Sequence, residues 1–284
     1  MPAAPVVPSP PLALGRGLPW HLPVEDAVAE IAAARAEHGD TFTIEHGRDR
    51  YLFTFSTTGV ESFYALREEE ASKGVADYLM LRRKLPDAVF QDRRTLPGTL
   101  FRRDDVATYL AHLDAALDAT CAELGASGEA DVFDLTRRLG HRMGLASWSG
   151  PHAASGEAFE RLVAAFDALD GSEAFVHPDA MAAVAASGQA AEHAALEEVV
   201  AVLGGLRSSG DAPASPDGLA DRILAAWADE PDDVARRGAA LDVALIHVAS
   251  MSNLHAALGW ALVDLLDHPA ALDRVRAGDA EHAQ

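Results

Sequence analysis

The fold is decided by the stretch ALDVALIHVASMSNLHAALGWALVDLLDHP at residues 240–269. This is a long helix-forming run with little charge, and a helix that is apolar on most of its faces is typical of a protein interior. Three polar residues, Ser250, Ser252 and Asn253, interrupt the run near its centre. Buried polar side chains need hydrogen-bond partners. The stretch therefore predicts either a ligand or cofactor beside the helix, or side chains that bond back to carbonyls of the preceding turn.

The composition indicates a globular protein and argues against two classes of partner. The chain has 284 residues, of which 49% are hydrophobic and 24% charged, with a formal net charge of −21. Nucleic acids and anionic membranes favour clustered Lys and Arg, so neither is an expected partner. The single cysteine excludes an internal disulfide framework. Because the Pro-rich N-terminus lacks the pattern of a signal peptide, we expect a cytoplasmic protein without a membrane anchor.

The chain is predicted to be mainly α-helical, with one small β-hairpin near its N-terminus. Residues 1–19 read as a Pro-rich extended lead, and residues 20–284 are expected to form a single helical domain. The hairpin is predicted because two β-rich segments, 41–45 and 50–55, flank a glycine-containing turn. Helices are predicted over 24–38, from 57, and over 76–85, 104–124, 131–148, 155–170, 178–207, 217–228, 232–267 and 269–277.

Two residue patterns bear on catalysis and metal binding, and both favour a structural interpretation. Cys121 lies in an amphipathic helix with nothing nearby to stabilise a thiolate, so we expect a buried structural cysteine. His247, Met251 and His255 are spaced i, i+4, i+8 and share one helix face. Such a ladder suits copper or heme, but one helix face does not complete a coordination shell. We therefore expect a packed or surface stripe and no metal site.

Four segments follow one another in an order that resembles a known enzyme family. The first is a helix ending His38-Gly-Asp, followed by Phe42-Thr-Ile and Tyr51-Leu-Phe-Thr. The second is Tyr78-Leu-Met-Leu-Arg-Arg-Lys, and the third is Gly128-Glu-Ala-Asp-Val-Phe-Asp-Leu. The fourth is Val248-Ala-Ser-Met-Ser-Asn253 with Trp260 and Leu265-Leu-Asp-His-Pro269. In this order they resemble the first helix and hairpin, the aromatic-x-x-x-Arg helix, the opening of the next long helix and the central distal-face helix of the cytochromes P450. That family consists of heme-thiolate monooxygenases. The resemblance implies a mainly α, P450-like fold, incomplete at its C-terminal end.

The resemblance implies a heme site made from two parts of the chain. Arg82 would pair with a heme propionate, which suits a guanidinium fork, and Tyr78 would hold the aromatic position. The alternative for this segment is a surface Arg-Arg-Lys cluster. Ala249 and Ser250 would line the distal face of the heme.

The resemblance also implies that Ser252 and Asn253 touch oxygen or substrate. They stand where the family carries an acid–alcohol pair that delivers protons, and an asparagine amide does not titrate. The family's Glu-x-x-Arg helix and Cys-containing heme-ligand loop do not follow, and Cys121 lies too early to replace that ligand. We therefore expect a P450-like oxidoreductase acting with heme, and with a redox partner protein, on a small apolar or sterol-like molecule. This chain is expected to be incomplete for catalysis; the alternatives are a heme-free binding or assembly module, or a non-catalytic fragment.

Overall fold

A computed structural model describes residues 9–16, 27–46, 49–67, 69–72, 78, 81–95, 100–171, 178–208 and 218–278. The chain divides into two compact units. The first comprises residues 1–83 and 173–183, and the second comprises residues 84–172 and 184–284. Each unit has its own buried side chains.

The first unit contains a β-hairpin packed beside a helix. Its elements are α1 (Ala27–His38), β1 (Thr41–His46), β2 (Asp49–Thr54) and α2 (Thr57–Ala65). Helix α1 stops at Gly39, whose φ of +85° is a left-handed conformation that favours glycine. The strands pair antiparallel with Thr41 opposite Thr54. Since side chains alternate along a strand, Phe42 and Ile44 point the same way, and both lie in the core.

The second unit is helical among its described residues. Helix α6 (Pro178–Ala186) begins in the first unit's residues and ends in those of the second. The other helices are α3 (Asp105–Leu124), α4 (Val132–Ser149), α5 (Gly156–Leu169), α7 (Ala190–Ser208), α8 (Leu219–Ala225), α9 (Asp232–Asp267) and α10 (Pro269–Arg276), with short 3₁₀ helices at Asp87–Val89 and Pro151–Ala154. Asp131 caps α4, because its carboxylate accepts the N–H groups of Phe133 and Asp134. Pro269 starts α10, where its fixed φ suits the first helical position.

Helix α4 lies in the core of the second unit. All its residues from Leu139 to Trp148 are buried. It packs against α3, α8 and α9, while α7 packs against α5 and α9. One face of α9 is therefore held against α4.

A buried carboxylate joins α9 to two other segments of the second unit. Asp242 is 0% exposed, and its Oδ1 lies 3.2 Å from Arg93 Nη1. The hydroxyl of Thr95 and the indole N–H of Trp227 both donate to Asp242 Oδ2 at 2.8 Å. The charge of Asp242 is thus compensated by one cation and two hydrogen bonds.

The prediction of a mainly α protein with a small N-terminal hairpin is confirmed. Helix α9 has the predicted bounds, and α4 lies one residue from its prediction. The prediction of a buried Cys121 is wrong, because this residue lies on an exposed face of α3. A single domain over 20–284 stays a prediction. Much of the Pro-rich lead, and of the helix predicted over 76–85, lies outside the described residues.

Helix α9 passes a length and composition test for a membrane span. Among the described residues, α9 is the one helix that is long and apolar enough. An 18-residue window of α9 has a mean hydropathy of 1.2, and 53% of that window is buried inside the protein. A core helix of a soluble protein passes the same test, so this is weak evidence for a span. The expected cytoplasmic location without a membrane anchor stays a prediction.

Candidate functional site

Two residues near the centre of α9 lie on a face of the helix that the rest of the second unit leaves open. Ala249 and Asn253 are exposed and Ser250 is half-buried. The exposed stripe continues one and two turns later at Ala256 and Trp260, and Trp260 is 60% exposed. These positions recur every three or four residues, as residues on one helix face do. We call the exposed stripe of Ala249, Asn253, Ala256, Ala257 and Trp260 the open face of α9.

The open face offers small side chains and one free amide. Within the described part of the chain, the side chains of Ser250 and Asn253 form no hydrogen bond, so they do not bond back to the preceding turn. An alanine and a serine let a flat molecule approach the helix closely, and the Asn253 amide can both donate and accept beside it. Ser252 belongs to α9, but its side chain lies outside the described residues. The roles of Ala249, Ser250, Ser252 and Asn253 stay predictions.

Tyr78 and Arg82 contact each other in the first unit. The Arg82 guanidinium carbon lies 5.5 Å from the centroid of the Tyr78 ring, within the range of a cation–π contact. Both side chains are exposed. The predicted pairing of an aromatic ring with an arginine one turn later is therefore present, and its role toward a propionate stays a prediction.

The face of α9 opposite the open face carries a buried histidine cluster, formed by His141, His247 and His255 with Asp167. His247 is 1% exposed, and its Nε2 lies 2.8 Å from Nδ1 of His141 on α4. Nε2 of His141 lies 3.1 Å from the Asp167 carboxylate on α5. The His255 ring meets the His141 ring edge-on, with centroids 4.8 Å apart. Three helices are therefore joined through one imidazole, that of His141.

The hydrogen bonds define which nitrogens carry protons when the rings are neutral. A carboxylate only accepts, so His141 Nε2–H donates to Asp167 and His141 Nδ1 accepts from His247 Nε2–H. His247 Nδ1 is then a lone pair, and it has no partner among the described residues. An unmatched acceptor costs less than an unmatched charge, which favours a neutral His247 ring.

The cluster fits between the helices because glycines face it. A Cβ atom on Gly140 would lie 2.4 Å from His255 Cδ2, and one on Gly144 would lie 2.8 Å from His247 Cε1 and 3.0 Å from Met251 Sδ. The expectation of a packed His247–Met251–His255 stripe is met by this burial. The sequence did not identify His141 or Asp167 as partners. The one available signal was the pair of glycines one turn apart in α4, since glycine is costly inside a helix.

We expect the stability of the protein to fall as the pH drops from about 6.5 to 5. Burial, aided by repulsion from His141, lowers the pKa of His247 well below its ordinary value and that of His255 to about 3. Both rings stay neutral in the folded state while the unfolded chain takes up protons, so acid favours unfolding. Burial raises the pKa of Asp170 to about 7, which acts in the opposite direction over the same window. Two histidines against one carboxyl leave a net loss that steepens toward about 1.4 kcal/mol per pH unit near pH 5, measurable by urea unfolding.

The variant Asp170→Asn isolates the histidine contribution. It removes the opposing carboxyl, so the loss should steepen to about twice the value in the unmodified protein. A stability that is flat between pH 6.5 and 5 in both proteins would show that the buried rings do not stay neutral.

Comparison with known proteins supports the fold. No protein-family model matches the chain, and no curated protein matches it. Among solved structures, the chain is similar to the retinoic-acid-bound cyanobacterial CYP120A1, a cytochrome P450, with 18% sequence identity and a TM-score of 0.56. The match covers 95% of this chain and 63% of that one, so the chain spans less than two thirds of its length. Likeness at this identity concerns the fold alone, and the fold of this chain is the mainly α, P450-like one.

Proposed function

We propose that this chain takes part in the heme-dependent monooxygenation of a small apolar or sterol-like molecule, with α9 lying over one face of the heme. The observation that carries the proposal is the open face of α9, in a chain whose fold is similar to that of a P450. The small side chains at Ala249 and Ser250 admit a planar group close to the helix backbone. Ala249 is exposed and Ser250 is half-buried, which supports such an approach within the second unit.

The open face of α9 would suit one face of a heme, and the described residues do not supply an axial thiolate. The chain's one cysteine, Cys121, is exposed on α3 and comes far before the open face of α9 in the sequence. In the described part of the chain, no group of three or more His, Cys, Asp or Glu side chains is arranged to hold a metal ion. A bound heme would supply oxygen activation, and the described residues of this chain would supply its distal wall.

Asn253 would hold a water molecule or the substrate by hydrogen bonds. Its amide has two donors and one acceptor and does not titrate near neutral pH, so it orients a partner without exchanging a proton. Ser252, one residue earlier, is proposed to assist it. In the first unit, Arg82 is proposed to bind a heme propionate, with the Tyr78 ring beside the guanidinium restricting its orientation. A redox partner protein would supply electrons.

A hemin titration of the purified protein tests the proposal. We expect one hemin to bind per chain and the variant Ala249→Trp to weaken binding at least tenfold, because an indole on the open face prevents a planar group from approaching α9. The matched control is Ala164→Trp, which places the same ring on the exposed face of α5 and should leave hemin binding unchanged. Absorbance of the hemin Soret band reports the binding.

Two results would contradict the proposal: no saturable hemin binding, or equal binding by Ala249→Trp and the unmodified protein. The competing hypothesis of a heme-free assembly module predicts that protein covers the open face, where Trp260 is 60% exposed. Sedimentation velocity without added hemin distinguishes the heme-binding hypothesis from the assembly hypothesis. An assembly module should form an oligomer that dissociates in the variant Trp260→Ser. A monomer at all concentrations would exclude self-assembly through this face.

A further inference from the structure

A second site lies in the same unit, at the N-terminal third of α9 and away from the open face. It is a pocket between the end of α4, α7, α8 and α9, lined by apolar side chains that include Leu203, Ile223, Ala240 and Val243. Trp148 forms part of its wall. The cavity has a volume of about 60 Å³, so a ligand of this pocket is small.

Arg236 lines this apolar pocket without an ion-pair partner. Its side chain is half-buried, and no hydrogen bond or salt bridge joins it to any described residue. The other buried or half-buried arginines of the described chain each pair with a carboxylate. They are Arg16, Arg93, Arg138, Arg142 and Arg222. A partly buried guanidinium that lacks an anion is the exception in this protein, and it occurs at a pocket.

Two residues that line the pocket also carry a buried polar atom without a partner among the described residues. Trp148 is 2% exposed, and its indole Nε1 forms no hydrogen bond with the described residues. The same holds for the buried hydroxyl oxygen of Ser149, the next residue along the chain. Buried polar atoms without a partner are uncommon, and these two belong to neighbouring residues that line the pocket.

We propose that this pocket binds a small monocarboxylic acid with an apolar or aromatic body. The carboxylate pairs with Arg236, whose planar fork matches two carboxylate oxygens, and the body packs among Leu203, Ile223 and Val243. The net charge of −21 repels anions at a distance, so the attraction is local and the affinity modest. This proposal does not depend on heme binding, since Arg236 lies more than three helical turns before Ala249 on α9.

Benzoate and benzamide provide a matched pair of probes. They have nearly the same shape, but benzamide has no charge to pair with Arg236. We expect benzoate to bind the purified protein in the millimolar range or tighter, and benzamide to bind at least tenfold more weakly. The indole N–H resonance of Trp148 in a ¹H–¹⁵N NMR spectrum should shift on binding, with Trp148→Phe identifying the signal.

The variant Arg236→Gln should weaken benzoate binding at least tenfold and leave benzamide unchanged. Arg237→Gln is the control, because it removes the same charge one residue later, from an exposed side chain paired with Glu197. Circular dichroism checks that both variants fold. Absence of benzoate binding, equal binding of the two probes, or equal benzoate affinity in Arg236→Gln and the unmodified protein would overturn the proposal. None of these readouts involves hemin, so its failure is separable from failure of the proposed function.

Discussion

Replacing Asp242 with alanine should destabilise the protein by about 4 kcal/mol or more, the largest effect expected of a single substitution. Asp242 is 0% exposed, and its removal leaves the Arg93 guanidinium buried without a counter-charge. It also leaves the Thr95 hydroxyl and the Trp227 indole N–H without their acceptor. Each unmatched buried donor costs a further 1–3 kcal/mol or so, although such costs do not add fully. Urea unfolding, followed by circular dichroism, measures the loss.

Two comparisons assign the effect to the buried charge. Asp264→Asn changes an exposed carboxylate on the same helix and should alter stability by less than about 0.5 kcal/mol. In the background of Arg93→Met, the cost of Asp242→Ala should fall, because no unpaired cation is then left behind. If Asp242→Ala costs the same with and without Arg93, the ion pair is not the source of the stability.

The long helix and its breaks were predictable because their causes are local. The apolar run from Ala240, the proline at 231 and the His268-Pro269 break all lie within a few residues of the structure that they determine. The hairpin was equally accessible, since its alternation and turn are adjacent along the chain. The exposure of Cys121 was not predictable, because packing decides which face of α3 meets the rest of the unit.

The contacts of the histidine cluster and of the pocket could not be predicted in the same way. His141 meets His247 across 106 positions of sequence, and no spacing rule joins the two helices. Likewise, the sequence offers no reason to separate Arg236 from the neighbouring Arg237; only packing shows that one pairs with Glu197 and the other lines a pocket. Ala249 and Asn253 were singled out from the polar interruption of the helix and from the resemblance, but Ala256 and Ala257 were not, and the exposure of all four is a property of packing as well.

The double variant Gly140→Ala/Gly144→Ala should have the second largest effect on stability, a loss of roughly 2–6 kcal/mol. Alanine is the better helix former by about 1 kcal/mol at each site, so any net loss comes from contact across the helix pair. The added Cβ atoms would lie 2.4 Å from His255 Cδ2 and 2.8 Å from His247 Cε1, closer than packed atoms tolerate. Both rings are buried between α4 and α9, so the helices must move apart to relieve the contacts.

Two further variants test this reason for the loss. Gly205→Ala, in α7, is the control: a Cβ there meets nothing within 4 Å, so the change should stabilise the protein by about 0.5–1 kcal/mol. In the background of His255→Ala, which removes the ring that Gly140 faces, the cost of Gly140→Ala should fall by at least half. An unchanged cost in that background would mean that the glycine is required by the backbone of α4 and not by the histidine cluster. The change in the urea midpoint at constant slope gives the change in the free energy of unfolding for each variant. The cost of Gly140→Ala with His255 present, minus its cost in the His255→Ala background, is the coupling free energy between Gly140 on α4 and His255 on α9.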